Sequence, residues 1–381
     1  MLLRSFLFIL SLSLFCSCLS DSSHKKKAVD KSGVIRNFEA SGFTIQQKVL
    51  WQKLTVTNPW QKSTDNIFEY FLLKRGENIP SDLKDKQVIF TPAKRVICLS
   101  TTHIGYLDAL GELGSIIGLS GTNYVSNPEV KRGVSENRIR EVGYEQGLNY
   151  EMILQLKPDV VFAFGVGAEI NTQLNKLRDL GIPVVLVGEY LEQSPLAKAE
   201  WLKFFGAFFE KGEIAGSIFK KAKYNYQILR SMTSKITERP TVLTGLPFKD
   251  TWWIAGGQSN LAVLIEDAGG KFLWRENQSK EAFPVSLEEV FLRAARADFW
   301  INCGSVNSKS ELLAFDSRYS DLPAVKNSKI YNNNLRAVTG GGNDYWESGV
   351  VHPDLVLADL VKIFHPGMID HKDFSYYKKI E

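Results

Sequence analysis

The residues of this chain that can do ligand chemistry sit just past short apolar runs. His103, Tyr124 and Tyr190 fall within residues 94–193; Trp252, Trp253, Arg336, Tyr345 and Trp346 fall within residues 239–381. An imidazole or a phenolate can ligate iron, indole and phenol rings stack on large flat molecules, and a guanidinium pairs with a carboxylate or phenolate. Each also has an ordinary role. A lone histidine serves as a hydrogen-bonded loop residue, Arg336 suits an internal ion pair equally well, and each aromatic can plug a core. Trp252 and Trp253 are adjacent in a strand-like run, so their side chains point to opposite faces, and one of the two is expected to line a cleft. The sequence holds no phosphate-cradling glycine loop with lysine, no GxSxG, no HExxH and no paired-cysteine metal spacing. Gly340–Gly342 precedes "NDYWE" rather than a helix and is weak as a nucleotide motif. The chemistry is that of binding, with no catalytic constellation and no resident metal or cofactor implied.

The elements that must position these residues are legible as an alternation. "RVICLS", "IIGLSG", "DVVFAFG" and "PVVLVG" are continuous apolar runs separated by helical stretches or turns, the pattern of a parallel sheet covered on both faces. Ligands of such sheets lie outside the carboxyl ends of the strands, which selects Thr101, Thr102, Asn123, Gly165 and Glu189 beside the residues above. Beyond Pro240 the alternation resumes with "TVLTG", "LAVLIEDAGG" and "SKIYNNN", and selects Phe248, Gly304, Asn334 and the segment "GGGNDYWE" through Glu347. A helix over "HPDLVLADLVKIFH" is expected to close the chain. Residues 194–238 carry no strand signal: Ser194 caps a helix whose first residue is Pro195. A second helix of about 24 residues, roughly 36 Å long, then places Ala215, Ile218, Phe219, Ala222, Tyr226 and Leu229 on one stripe. The fold predicted is α/β: two Rossmann-like lobes, 94–193 and 239–381, joined by one long helix, with a ligand cleft between them. Residues 34–93 form a β-rich extension ahead of them, with two or three strands in 41–75.

The first 33 residues read differently. Arg4 precedes an apolar run too short to span a bilayer comfortably, which indicates a secretory signal over 1–17. Ser17-Cys18 resembles a bacterial lipoprotein cleavage site, although Phe15 and Cys16 depart from the usual pattern. Cys18 is therefore the expected lipidation site, and 18–33 a polar, lysine-bearing tether. The net charge of +4 resides there: Arg4, Lys25, Lys26, Lys27 and Lys31 against Asp21 and Asp30 leave 41 basic and 40 acidic residues in the remainder. A folded part this close to neutral does not fit a nucleic-acid binder. With Cys16 removed and Cys18 modified, Cys98 and Cys303 remain, one in each lobe, expected buried and unpaired.

The two halves also share a sentence. "LNYEMILQLKPDVVFAFG" (148–165) and "VSLEEVFLRAARADFWINCG" (285–304) each place a capping residue, Asn149 or Ser286, two positions before an acid, Glu151 or Glu288, and run through an apolar helical face into a buried strand. With the envelope signal and the long joining helix, this resembles the class III substrate-binding proteins of bacterial ABC importers, over roughly Lys94 to Pro366. The resemblance implies that Glu151 and Glu288 dock onto the permease dimer that works with its ATPase. It implies a monomer in the periplasm, held by an N-terminal lipid and delivering an unmodified ligand. It places an iron chelate first, a ferric siderophore or haem, with cobalamin as the alternative. A two-lobed envelope enzyme and a direct zinc or manganese receptor stand further off, the latter with only His103 and His352 as histidine ligands within the lobes.

Overall fold

The computed structural model describes residues 34–35, 39–144, 147–165, 167, 170–249, 251–370 and 373–381. The expected signal, Cys18 and the tether lie outside them. Five strands come first: β1 (Val34–Ile35), β2 (Phe43–Gln47), β3 (Trp51–Thr57), β4 (Ile67–Lys74) and β5 (Val88–Thr91), paired in that order. Residues 41–75 hold three strands, as expected, and the sheet extends beyond them. The additions are β1, too short for a pattern, and β5, which pairs parallel to β4 from outside the alternating stretch.

The first lobe follows as β6 (Val96–Cys98), α1 (Thr102–Ala109), β7 (Ile116–Leu119), α2 (Pro128–Ser135), β8 (Arg140–Glu141), α3 (Tyr150–Leu156), β9 (Val160–Ala163), α4 (Ile170–Asp179) and β10 (Val184–Leu186). All pairs are parallel, in the order β10-β9-β6-β7-β8. Strands β6, β9 and β10 are buried throughout, as unbroken apolar runs require.

Three helices cross to the second lobe: α5 (Pro195–Glu200), α6 (Leu202–Phe208) and α7 (Gly212–Thr233). Ser194 Oγ caps α5 by accepting from Ala197 N–H at 3.1 Å. In α7 the stripe is as read: Ala215, Phe219, Ala222 and Tyr226 are buried. Ala215 belongs to the first lobe's core and Tyr226 to the second's, so one rigid rod packs into both.

The second lobe runs β11 (Thr241–Thr244), β12 (Trp252–Ile254), α8 (Asn260–Asp267), β13 (Lys271–Phe272), β14 (Phe283–Val285), α9 (Leu287–Ala294), β15 (Phe299–Ile301), α10 (Lys309–Phe315), α11 (Pro323–Lys326), β16 (Ile330–Asn332), α12 (Pro353–Phe364) and β17 (Lys378–Lys379). Its sheet is β13-β11-β15-β16-β17. Leaving out the two-residue edge strands β8 and β17 and numbering the remaining sheet strands within each lobe, both sheets run 2-1-3-4, so the two halves share a four-strand core topology. The expected closing helix is α12, but the chain does not end there: residues 373–381 return and add β17 antiparallel to β16. Cys98 and Cys303 are buried and unpaired, as expected.

Both sheets would leave an open fourth strand. In the first lobe the extension covers it: Tyr70 of β4 accepts the Leu186 N–H at 2.8 Å, and Trp60 is buried in the same apolar cluster as Leu99, Ala163 and Leu186. In the second, β17 does so. Unpaired edges invite pairing with other chains, and each lobe has its own solution.

Candidate functional site

In a 2-1-3-4 sheet the crevice opens where the strand order reverses, between the first and third strands. Here that is outside β6 and β9 in one lobe and outside β11 and β15 in the other. Several groups fix these exits. The Tyr190 hydroxyl donates to Gly165 O at 2.7 Å, tying the loop after β10 to the loop after β9. Two indoles hold the end of β11: Trp252 Nε1 donates to Thr244 O at 3.1 Å and Trp300 Nε1 to Gly245 O at 2.9 Å. The "NNN" run works as a staple. Asn332 Nδ2 donates to Gly304 O and Val306 O, Asn334 Nδ2 to Val306 O and the Asn307 side chain, and Asn333 O accepts from Asn343 Nδ2. Amide donors engaged in this way rigidify the loops they join.

The segment 340–347 crosses to the first lobe. The Glu347 carboxylate accepts from Ser126 N–H at 2.6 Å and Asn127 N–H at 3.0 Å, at the start of α2. Burial pushes its pKa up, against those same donors. The glycine run has a steric reason rather than a phosphate-binding one: a side chain at Gly342 would stand 2.4 Å from Tyr124 O. At the other side of this contact, a side chain at Gly105 of α1 would meet Glu347 O at 2.1 Å. The lobes are latched by backbone in close approach.

The predicted residues divide. Tyr124 (52% exposed), Trp253 (53%) and Trp346 (57%) present their rings to the outside, as does Phe248 (69%). Tyr190 is half-buried. Three predicted ligand residues are corrected. His103 is wholly buried in the first turn of α1, between Phe162 and Phe205, with neither ring nitrogen hydrogen-bonded; burial pushes its pKa down to about 3, which keeps it neutral. Trp252 is the inward member of its pair, packed against Trp300 and Tyr319; the alternation expected in the strand holds. Tyr345 is a packing residue too. Its ring meets Tyr376 and Tyr377 edge-on and burial pushes its hydroxyl up to about 12. Arg336 takes the internal alternative, pairing with Asp344 at 3.0 Å above the Tyr376 ring. Glu347, expected at the ligand face, is spent on the latch.

Sequence reasoning missed Tyr144. It is 52% exposed and flanks Gly121 together with Tyr124. Glu141 shapes this corner by accepting from the N–H groups of Gly121, Thr122 and Gly143. The only warning was the two-residue strand β8 just before it, too short to be read as a strand.

Glu189 is buried at the end of β10, with Oε2 unpartnered. Burial pushes its pKa up to about 7, opposed by Lys198 and the nearby backbone N–H groups. Glu151 and Glu288 lie exposed in the first turns of α3 and α9. Asn149 Oδ1 caps the one through Met152 N–H at 2.9 Å and Ser286 Oγ the other through Glu289 N–H at 3.3 Å. Each helix leads into the third strand of its lobe, β9 or β15, so the two acids are topological equivalents.

The family model of the periplasmic binding protein matches residues 96–334, more than half of the chain. An uncharacterized lipoprotein of Methanocaldococcus jannaschii is 28% identical over 330 residues, covering 83% of this chain and 77% of its own length. A vitamin B12-binding protein of Vibrio campbellii is 24% identical over 265 residues, covering 67% of this chain and 86% of its own. Among solved structures, a periplasmic heme binding protein from Pseudomonas aeruginosa has the same fold, with a TM-score of 0.58 at 16% identity, over 76% of this chain and 98% of its own. The shared two-lobed fold and the matched span agree: the chain belongs to the periplasmic binding protein family.

Proposed function

We propose that this chain is the lipid-anchored envelope receptor of an ABC import system, and that it holds a corrinoid between its lobes and passes it unaltered to the permease. The observation that carries the choice of ligand is the set of exposed rings, Tyr124, Tyr144, Phe248, Trp253 and Trp346, on the segments that follow strands of the two sheets. Such surfaces suit a bulky, partly apolar macrocycle. A ferric catecholate asks for free cations, and Arg336 is engaged by Asp344. The similarity to a vitamin B12-binding protein supports the same choice. Haem is the second reading, favoured by the exposed Tyr124 phenol, which can ligate ferric iron. Glu151 and Glu288 are proposed as the paired contacts with the permease, and no bond in the ligand is made or broken.

The test is titration of the purified protein with cyanocobalamin, haemin and a ferric hydroxamate, read by absorbance and calorimetry. Cobalamin is expected to bind and quench tryptophan fluorescence, and Trp253→Ala to weaken it about tenfold or more, roughly 1.4 kcal/mol, with thermal stability unchanged. Binding of the hydroxamate alone would overturn the corrinoid reading. Glu151→Ala with Glu288→Ala should abolish uptake in cells while leaving ligand affinity intact.

A further inference from the structure

The turn between β2 and β3 is made of residues that turns avoid. Tight hairpin connections favour Gly, Asn and Asp, which tolerate the backbone angles and the solvent. Here the connection is Lys48-Val49-Leu50, closed by Lys48 N–H donating to Trp51 O at 2.9 Å. Val49 is 97% exposed and Leu50 51%, and Val49 is the most exposed large apolar side chain among the described residues. A β-branched residue and a leucine at a convex tip have nothing of this chain to pack against.

A separate observation says what lies opposite the tip. Strand β1 runs antiparallel to β2, with Val34 across from Gln46 and Ile35 across from Ile45. The chain therefore enters the sheet at the end where β2 turns into β3, and only Gln47 and Lys48 separate Gln46 from Val49. From Cys18 to Val34 the chain can reach at most roughly 55 Å, at about 3.3–3.6 Å per residue. A lipid on Cys18 thus tethers the protein by the very end of the sheet that carries the aliphatic tip. Lys48 is exposed beside it, and Lys74, which ends β4 next to the Trp51–Leu73 pair, stands at the same end. Aliphatic side chains at a convex tip with flanking lysines suit an interfacial bilayer contact, whereas protein-binding surfaces are broader and richer in aromatics and arginine.

We propose that the Val49–Leu50 tip is a second membrane contact, inserting into the bilayer that carries the anchor. A single tether holds the receptor without orienting it; two points fix which face looks at the membrane. The proposal rests on the lipid-anchor part of the functional reading.

The test uses the full-length protein, processed by a lipoprotein-producing bacterium and reconstituted into phosphatidylethanolamine–phosphatidylglycerol vesicles. Val49→Cys is labelled with an environment-sensitive dye; Cys98 and Cys303 are buried, so the label goes to position 49. Expected are flotation with the vesicles, a blue shift of the dye and quenching by brominated lipid. Adding Leu50→Asp should remove the blue shift and most of the quenching while flotation and circular dichroism stay unchanged. Flotation with a water-like dye overturns the inference and leaves the anchor standing, as does shielding seen only when permease is present. Failure to float overturns the anchor reading itself, and the inference with it.

Discussion

The two lobes share a strand order but shield their fourth strands with material from opposite ends of the chain, and the same device fastens both shields. On the first lobe, buried Glu192 accepts from Ser41 N–H, Gly42 N–H and Trp201 Nε1, and buried Glu200 accepts from Glu39 and Ala40 N–H. On the second, buried Asp359 of α12 accepts from the N–H groups of Ser375, Tyr376 and Tyr377. A carboxylate bound by several backbone donors is stable in the interior because its charge is answered by their dipoles. The difference is in area. The extension brings a whole sheet with Trp60, Tyr70 and Phe43 into the core, where Phe43 packs against Trp201 and Phe204, while the tail brings one short strand. The extension is thus part of the first lobe's interior rather than an appendage, although the family match begins only at residue 96.

The sharpest way to break this comparison is to remove each cover. A chain lacking residues 34–91 is expected to show no cooperative unfolding of the first lobe, whereas a chain lacking 373–381 still melts cooperatively at a lower temperature; calorimetry distinguishes them. Equal effects would mean that the extension is no more integral than the tail. Among point substitutions, Trp60→Ala is expected to cost about 3–5 kcal/mol by urea titration, through the cavity it leaves. Glu192→Ala and Asp359→Ala each strand several partly or wholly buried N–H groups and are expected to cost about 2–4 kcal/mol, with Glu192→Ala loosening proteolytic protection at 39–42 and Asp359→Ala at 375–377.

Two acids sharpen the comparison through pH. Burial pushes the Glu200 carboxyl up, but Lys203 and the Ala40 and Glu39 N–H groups outweigh it and hold the pKa below the ordinary range. Its stabilisation is present above the unfolded carboxylate pKa and is lost as pH falls through the folded value, so acid should release the extension. Glu189 has the opposite sign. With a folded pKa of about 7 against an ordinary 4.5, the native state binds the proton more tightly, and stability declines as pH rises between those values. Glu189→Gln should remove that decline, raising stability at pH 8 by up to about 3 kcal/mol relative to the parent. An unchanged slope between pH 4.5 and 7 would show that the carboxylate ionises without penalty.

What the sequence made legible was local. The buried strands, the caps at Asn149, Ser194 and Ser286 and the stripe of α7 are patterns within a dozen residues, and the repeated helix-to-strand passage placed Glu151 and Glu288 at matching positions. The illegible parts depended on partners far away. Strands β1, β8, β13 and β17 have two residues each and carry no periodicity. Whether His103 faced a ligand or the sheet depended on α1 beginning at Thr102, and whether Arg336 was free depended on Asp344. The purpose of Gly340–Gly342 lay in the backbone of residues 123–125, in the other lobe.

One consequence concerns the order of events in a polypeptide delivered amino end first. The clamp on residues 39–42 is formed by side chains at 192 and 200, some 150 positions later, so the leading sheet must wait through most of the first lobe before its fastening exists. During that interval Trp60 and Phe43 have no permanent shelter. Whatever holds the emerging segment would therefore matter more for this chain than for one in which the lobe came first.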